Sequence, residues 1–294
     1  MDKMIVSARR SDMGRTAHLA DDRAYTLPGR LGGFLIVNAR AGGERPSIEE
    51  LSEAAAARGI EAHVVEAGED VAELARRADA DALGVAGGDG SLAPVASVAI
   101  DRNLPFVCVP YGTRNHFARD LGLDRDDPIA ALDAFGGIER RIDVGRINER
   151  AFLNNVSLGM YAKLVHEREQ HRRRREALAR LRAIAIALRS RDERHLLVDG
   201  ERLNVRVLLV SNNAYALEMF SLGERKRLDE GLLYLYAASG IVRSSWTERS
   251  GTRFVLDAPA GRIGTAIDGE PATLETPLEF RIDPLALRVL VPPA

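Results

Sequence analysis

Residues 82–91 read Ala-Leu-Gly-Val-Ala-Gly-Gly-Asp-Gly-Ser, an apolar run that passes directly into three glycines and an acid. Ala82 to Ala86 predict a buried strand, and Leu92 to Arg102 predict a helix whose first turn tolerates Pro94. A glycine-rich turn before a helix N-terminus lets backbone N–H groups approach an anion closely. The stretch therefore predicts an α/β fold with a phosphate-type site where this strand ends.

The candidate ligand-binding residues of this turn are Gly87, Gly88, Asp89, Gly90 and Ser91. Asp89 suits a divalent cation or its bound water, and the Ser91 hydroxyl suits a helix cap or a phosphate oxygen. A turn without a ligand is the alternative, but such a turn needs only one glycine. The turn is not a P-loop, because no lysine follows, and it is not a G-x-G-x-x-G fingerprint either.

Strands and helices alternate on both sides of this turn, which predicts parallel βαβ units in a doubly wound layer. The predicted strands are Phe34 to Asn38, Ile60 to Val65, Ala82 to Ala86 and Pro105 to Pro110. The predicted helices are Ser47 to Arg58 with a capping box at Glu50, Asp70 to Arg77, Leu92 to Arg102, and one that starts at Asp127-Pro128 and ends near Gly136-Gly137.

After about Ile138 the pattern changes to short strands separated by turns, which predicts a second, β-rich domain. We expect a loose extension over residues 1–33, an α/β domain over 34–140, and a β-rich domain over 141–294. A basic helical insertion falls at about 160–191, and the last strand is allowed to pack back on the first domain. The predicted strands are Ile142 to Ile147, Ala151 to Ser157, His195 to Val198, Leu203 to Ser211, Leu232 to Ala238, Thr252 to Leu256, Ile263 to Asp268, Leu278 to Ile282 and Leu287 to Val291.

Composition excludes several classes of protein. The 294 residues carry 41 Lys+Arg against 43 Asp+Glu, a net charge of −2, which argues against binding nucleic acid through bulk charge. Cys108 is the single cysteine, so an intramolecular disulfide framework and a multi-cysteine metal site are both excluded. No apolar run reaches the roughly 18–20 residues of a membrane span, and no secretory signal opens the chain. We expect a cytoplasmic protein that can still touch a membrane surface.

A second polar loop follows the strand Pro105 to Pro110 and reads Tyr111-Gly112-Thr113-Arg114-Asn115-His116. Ligands of doubly wound sheets bind at the carboxyl ends of the strands. Asn38, the Gly87 loop and the Gly112 loop should therefore converge on one crevice.

These motifs resemble those of the diacylglycerol kinase catalytic-domain family, the lipid kinases that include bacterial diacylglycerol kinases and sphingosine kinases. The resemblance rests on Gly87 to Ser91, followed some twenty residues later by Pro110 to Leu123, and it covers about residues 34–292. Three weaker matches are Phe152 to Gly159, Leu228 to Leu233 and Ile267 to Pro271.

The resemblance implies a two-domain, ATP-dependent kinase that acts on a lipid hydroxyl with Mg²⁺. In such a kinase the doubly wound α/β domain, here 34–140, is the nucleotide-binding domain, and a β-sandwich domain, here 141–294, closes the cleft. It places Asp268 and Glu270 as an acidic pair that supplies the general base, with Asp89 as a third catalytic residue. It implies a structural magnesium at Glu230 and Asp229, with backbone carbonyls near Arg227 and Leu232. The implied nucleotide-binding residues are Asn38, Gly42, Gly87, Gly88, Asp89, Gly90, Ser91, Gly112, Thr113 and Asn115.

Each weaker motif also has a simpler interpretation. Asp268-Gly269-Glu270 reads equally as a polar hairpin turn, and Asp229-Glu230-Gly231 reads as another turn. The sequence departs from the family's usual residues in three places. Gly42 closes a loop without the usual hydroxyl, Ala93-Pro94 stand where Asn-Glu is usual, and Glu230 replaces Asp. The change at Ala93-Pro94 removes a polar pair from the nucleotide side.

Arginines crowd the stretch that contains Arg172 to Arg175, together with an apolar stripe at helical spacing. A basic amphipathic helix can lie on anionic lipid, and its alternative is a solvated helix packed on the second domain.

The motifs together favour a lipid kinase that meets its substrate at the inner membrane face, with diacylglycerol as the default substrate. A homodimer is compatible with the sequence, and no nucleic acid partner is expected. The first alternative is a non-catalytic nucleotide or lipid sensor of the same fold. The second, which the motifs favour less, is an NAD kinase.

Overall fold

The computed structural model describes residues 25–26, 32–40, 46–159, 194–218, 221–222, 224–240 and 246–293. The predicted basic helix at about 160–191, Gly42 and most of the predicted extension 1–33 lie outside the described residues. Within that extension, Tyr25 and Thr26 are paired in register with Glu139 and Ile138.

Five strands, β1 to β5, and five helices, α1 to α5, form the first region of the chain. The strands are β1 Tyr25–Thr26, β2 Gly33–Val37, β3 Ile60–Val64, β4 Ala82–Gly87 and β5 Phe106–Pro110. The helices are α1 Ile48–Ala57, α2 Val71–Arg77, α3 Asp89–Asp101, α4 His116–Asp120 and α5 Pro128–Ala131, followed by a 3-10 helix Leu132–Gly136. The strands β5-β4-β2-β3 lie side by side and parallel, as the sequence predicts.

Local sequence explains how these helices begin. Ser47 and Glu50 form the predicted capping box before α1. The carboxylate of Asp70 accepts the N–H groups of Ala72 and Glu73 before α2. Buried residues of α3 and the apolar residues of the strands then form the core of this region, which includes Leu83, Phe106 and Phe117.

Antiparallel strands build the second region. They are β6 Ile138–Ile147, β7 Arg150–Phe152, β8 Asn155–Gly159, β9 Arg194–Val198, β10 Glu201–Val205, β11 Val207–Asn212, β12 Leu217–Glu218, β13 Ser221–Leu222, β14 Leu233–Ala238, β15 Trp246–Gly251, β16 Arg253–Asp257, β17 Arg262–Ile267, β18 Glu270–Glu275 and β19 Leu278–Val291. Among the described residues, β15-β14-β11-β8-β17-β18 form a six-stranded sheet. Its inner face packs on β9, β16 and the first half of β19 through a core that includes Phe152, Leu256 and Phe280. This mixed α/β sheet with an antiparallel β-rich region confirms the predicted fold class.

The long strand β19 joins the two regions. Its first half pairs with β16, and its second half pairs in parallel with β5, where Val289 is opposite Phe106. The register with β6 shifts between Asp283 and Leu287, and this bulge lets β19 pair with β16 before it and with β5 after it. Within the described residues, eleven strands consequently belong to one continuous sheet.

The structure corrects several predicted boundaries. Helix α3 begins at Asp89, so the glycine turn is itself its first turn, and Pro94 lies inside the helix rather than at its start. The predicted strand Leu203 to Ser211 is two strands, because the chain turns at Arg206. The polar strand β15 and the short helix α4 have no apolar period, and the sequence did not predict them.

Candidate active site

The glycine turn after β4 is held against the end of β2. The side-chain amide Nδ2 of Asn38 donates to Oγ of Ser91 at 2.8 Å, and Oδ1 of Asn38 accepts the N–H of Arg40 at 3.1 Å. Gly88 caps α3 without a side-chain hydrogen bond. The first N–H groups of α3 therefore point out of the sheet edge, where an anion is favoured.

The Gly112 loop packs directly on the glycine turn. A Cβ at Gly112 would collide with the backbone of Gly88, so only glycine fits where the two loops touch. Asn115, in the left-handed region with φ 48°, accepts the N–H of Gly112 at 2.9 Å and donates to its carbonyl at 2.8 Å. Thr113, between them, is exposed. The structure thus brings Asn38 and the two glycine loops to one edge of the sheet.

Asp89 connects three parts of the site. Its Oδ1 accepts the N–H of Phe117 at 3.0 Å and the side-chain amide of Asn154 at 3.2 Å, and its Oδ2 accepts the N–H of His116 at 3.2 Å. The carboxylate therefore caps α4 and reaches into the β-rich region. These protein donors stand where the sequence interpretation put a cation or its water.

Asp268 lies at the tip of the β17–β18 hairpin and is buried, with φ 48°. Its carboxylate accepts the backbone N–H groups of Leu153 at 2.7 Å, Asn154 at 2.8 Å and Asn155 at 3.0 Å. Burial raises the pKa of Asp268 to about 6, and the nearby charge of Asp89 acts in the same direction. The three backbone hydrogen bonds lower the pKa, but their effect is smaller than that of burial. Asp268 is thus a buried carboxylate that titrates near neutral pH.

Glu270 and Arg114 complete the charged groups around the hairpin. Glu270 packs so closely on the glycine turn that a Cβ at Gly90 would collide with its carboxylate. A Cβ at Gly269 would lie 3.9 Å from Nη1 of Arg114. The β17–β18 hairpin thereby places the carboxylates of Asp268 and Glu270 beside the glycine turn, and the guanidinium of Arg114 lies next to the hairpin. Sequence reasoning missed Arg114, since an arginine in a polar loop has no distinguishing signal.

Arg225 was also missed, and it joins the two regions from within. Its guanidinium is buried and donates to Asp120 of α4 at 2.7 Å, to the carbonyl of Leu153 at 2.6 Å and to Oδ1 of Asn154 at 2.7 Å. Because Asn154 donates in turn to Asp89, Arg225 fixes the amide that contacts the first residue of α3. In the sequence Arg225 lies in a charged run that is typical of a solvated loop.

Ala93 and Pro94 line a cavity that also includes Gly90 of the glycine turn. This cavity has a volume of about 290 Å³ and lies beside Asp268 and Glu270. The cavity lies between α3, the turn before β7 and the β17–β18 hairpin. Its lining is Gly90, Ala93, Pro94, Ser97, Glu149, Arg150, Ala151, Ile267, Asp268, Glu270, Pro271 and Ala272.

The carboxylates of the turn proposed for magnesium have protein hydrogen-bond partners. The Asp229 carboxylate pairs with Nε of Arg227 at 2.9 Å, and Oε2 of Glu230 accepts the N–H of Ala214 at 3.1 Å. The N–H of Gly231, just before Leu232, donates to Asp143 instead. Across the described ranges, no three His, Cys, Asp or Glu side chains cluster as metal ligands, so a magnesium held here by two carboxylates and backbone carbonyls stays a prediction. We therefore derive no chemistry through a metal held at this turn.

The fold and the site define a protein in which an α/β layer with a glycine turn at a helix N-terminus meets acidic residues carried by a β-rich region. Residues 33–147 match the sequence model of the diacylglycerol kinase catalytic domain, which confirms the resemblance seen in the motifs. A diacylglycerol kinase from Bacillus anthracis strain Sterne has a similar structure, with a TM-score of 0.68 at 15% identity, over 90% of this chain and 98% of that one.

Curated relatives match over a shorter part. The chain is 34% identical to the diacylglycerol kinase of Bacillus subtilis over 90 residues, which are 30% of each chain. It is 35% identical to that of Staphylococcus aureus over 99 residues, 33% of this chain and 31% of the relative. The matched segment thus spans about a third of the length of these relatives. Among the described residues, no helix has the length and apolar character needed to cross a membrane.

Proposed function

We propose that this chain is a lipid kinase that transfers the γ-phosphoryl group of MgATP to the hydroxyl of a lipid such as diacylglycerol. The observation that carries the proposal is the contact of Glu270 with Gly90. This contact places the glycine turn, which suits a phosphate, next to the cavity lined by the carboxylates of Asp268 and Glu270. The match to the diacylglycerol kinase catalytic domain and the names of the relatives support the same activity.

On the donor side, the triphosphate lies along the glycine turn. The N-terminus of α3 supplies backbone N–H groups and a partial positive charge for the β- and γ-phosphates. Asn38 and Ser91 hold the end of β2 against this turn, and Thr113 offers a hydroxyl from the neighbouring loop. Arg114 brings a cation to the place where charge builds up on the transferred group.

On the acceptor side, Asp268 is the general base. Its Oδ1 already accepts two backbone N–H groups, whereas Oδ2 accepts one and keeps a lone pair. A pKa of about 6 leaves Asp268 ionised at neutral pH yet basic enough to receive a proton. As the lipid oxygen bonds to the γ-phosphorus and the bond to ADP breaks, the hydroxyl proton passes to Asp268. Glu270 orients the same hydroxyl from the exposed side.

The test is phosphorylation of a lipid panel by purified protein with MgATP, compared with the variant Asp89→Ala. Loss of the bonds to α4 and Asn154 should lower turnover by roughly a hundredfold or more, since positioning groups contribute at this scale. Asp101→Ala, an exposed carboxylate at the far end of α3, is the matched control and should keep wild-type turnover.

Turnover of Asp89→Ala at the wild-type rate would contradict the proposed site. Phosphorylation of NAD but of no lipid would contradict the proposed substrate. Binding of ATP without phosphorylation of any acceptor would favour a non-catalytic sensor of the same fold.

A further inference from the structure

The segment Leu153 to Asn155, which leads from β7 into β8 and is called here the 153–155 turn, holds two carboxylates of the site at once. Its three consecutive backbone N–H groups donate to the carboxylate of Asp268. The side-chain amide of Asn154, in the same turn, donates to Oδ1 of Asp89 at 3.2 Å. The orientation of this turn therefore sets the position of the proposed base relative to the first residue of α3.

Arg225 holds the 153–155 turn from its buried side. Its Nη1 donates to the carbonyl of Leu153 at 2.6 Å, and its Nη2 donates to Oδ1 of Asn154 at 2.7 Å. Nη1 also donates to the carbonyl of Asn212, the last residue of β11, at 3.0 Å, and Nε donates to Asp120 of α4. A guanidinium presents its donors in a rigid planar fork, so these bonds fix the direction of the turn as well as its distance.

Tyr215 supports both the guanidinium and the turn. The centre of its ring lies 5.6 Å from Cζ of Arg225, which is within the range of a cation–π contact. Its hydroxyl accepts the side-chain amide of Asn155 at 3.0 Å. The side chain of Arg225 is fully buried. It therefore reaches no substrate itself and acts only through the groups that it orients.

We propose that Arg225 is a positioning residue, which holds the 153–155 turn in the orientation that presents Asp268 and Asp89 to the reacting groups. The inference rests on the proposed kinase function for the reaction, whereas the hold on the turn stands on the geometry alone. The alternative is a buried ion pair with Asp120 that only stabilises the fold. The two differ in what the loss of the guanidinium does to kcat and to the turn.

The kinetic test compares Arg225→Lys with the wild type. Lysine keeps the positive charge beside Asp120, but its single ammonium group cannot reproduce the fork that reaches both the 153–155 turn and β11. We expect kcat to fall by roughly a hundredfold, since misplacement of a catalytic group by about 1 Å has an effect of this size. The bond between Asn38 and Ser91 at the glycine turn does not involve Arg225. KM for ATP should therefore stay within about twofold of the wild-type value.

Two control variants separate positioning from loss of stability. Leu256→Ala opens a cavity in the core of the β-rich region, and Arg253→Met removes an exposed arginine that pairs with Glu279. Both should keep the wild-type kcat at a temperature at which the protein is folded. Wild-type kcat in Arg225→Lys would overturn the inference, because the charge alone would then suffice. An equal fall of kcat in Leu256→Ala would also overturn it, because the effect would then come from lost stability.

Hydrogen–deuterium exchange tests the hold on the turn without any turnover. The backbone N–H groups of residues 153–155 donate to Asp268 and should exchange slowly in the wild type. We expect them to exchange about tenfold faster or more in Arg225→Lys, and at the wild-type rate in Arg253→Met. Faster exchange in a protein that phosphorylates no lipid would sustain the hold on the turn and reject the kinase. Unchanged exchange in Arg225→Lys would overturn the inference even if the wild type is an active kinase.

Discussion

Asp268 combines deep burial with three backbone hydrogen bonds, and these effects act on its pKa in opposite directions. Burial prevails, and the pKa rises from 3.8 to about 6. The folded chain therefore binds this proton more tightly than the unfolded chain does. Ionisation of Asp268 between about pH 4 and pH 6 lowers the free energy of unfolding as the pH rises.

The activity has the opposite pH dependence if Asp268 is the base. Only the ionised form accepts a proton, so kcat/KM should rise about tenfold per pH unit below pH 6 and level off above it. Asp268→Asn should remove this rising limb and leave a low, pH-independent activity. Glu270→Gln is the control and should retain the limb. A pH profile of Asp268→Asn that still rises through pH 6 would exclude Asp268 as the base.

Gly90 is constrained by a side chain from the other region. Alanine suits a helix better than glycine by about 1 kcal/mol, so Gly90→Ala should not lower the free energy of unfolding. Its Cβ would nevertheless displace Glu270, and we expect turnover to fall by roughly tenfold or more. Steady-state kinetics and urea unfolding measure the two effects separately.

Gly264→Ala is the control for this substitution, because no atom outside its immediate chain neighbours lies within 4 Å of the added Cβ.

The double variant G90A/E270D tests the contact directly. Aspartate is shorter than glutamate and leaves room for the added Cβ at residue 90, so this variant should regain part of the activity lost in Gly90→Ala. Full activity of Gly90→Ala would show that the contact with Glu270 is dispensable.

At the scale of elements, α4 and the β-rich region are joined by the buried pair of Arg225 and Asp120, 2.7 Å apart. Asp120 also pairs with Arg119 at 2.9 Å, so loss of Arg225 leaves Asp120 with one cation, whereas loss of the Asp120 charge leaves the buried guanidinium of Arg225 without a carboxylate. Breaking a buried pair costs about 3–5 kcal/mol. We expect Arg225→Met and Asp120→Asn each to be strongly destabilising in urea unfolding. The double variant should be less destabilised than the sum of the two, because neither charge is then left alone.

The exposed pair Arg253 and Glu279, 2.8 Å apart, is the control for this cycle. Its coupling energy should not exceed about 1 kcal/mol, as is usual for solvated pairs. Equal coupling energies in the two cycles would mean that burial adds nothing to the contact between Arg225 and Asp120.

The elements differ in how far the sequence predicts them. Strand β4 and helix α3 follow from an apolar run, three glycines and a helical pattern, which are local signals. The role of Arg225 depends on Asp120, Leu153 and Asn154, which lie 71 to 105 residues away in sequence, so no local pattern could reveal it. The cavity wall at Ala93 and Pro94 was visible as a departure from the family, but only the position of the β17–β18 hairpin shows what the two residues face.

At the scale of the whole molecule, β19 makes the two regions depend on each other. A fragment of residues 32–159 would lack the strand that pairs with both β5 and β6. We expect it to expose apolar surface, bind the dye ANS and unfold without a cooperative transition. Fusion of residues 278–293 to its end through a flexible linker should restore cooperative unfolding. A cooperative transition in the fragment without β19 would contradict this dependence.

The same strand affects the protein while it is being synthesised. β5 leaves the ribosome roughly 180 residues before its partner Val289, an interval of about 10–40 s at usual rates of translation. During that interval the apolar edge Phe106 to Pro110 is an open template for wrong strand pairing. We therefore expect slower translation of the later strands to increase aggregation of the nascent chain, because this edge stays unpaired for longer.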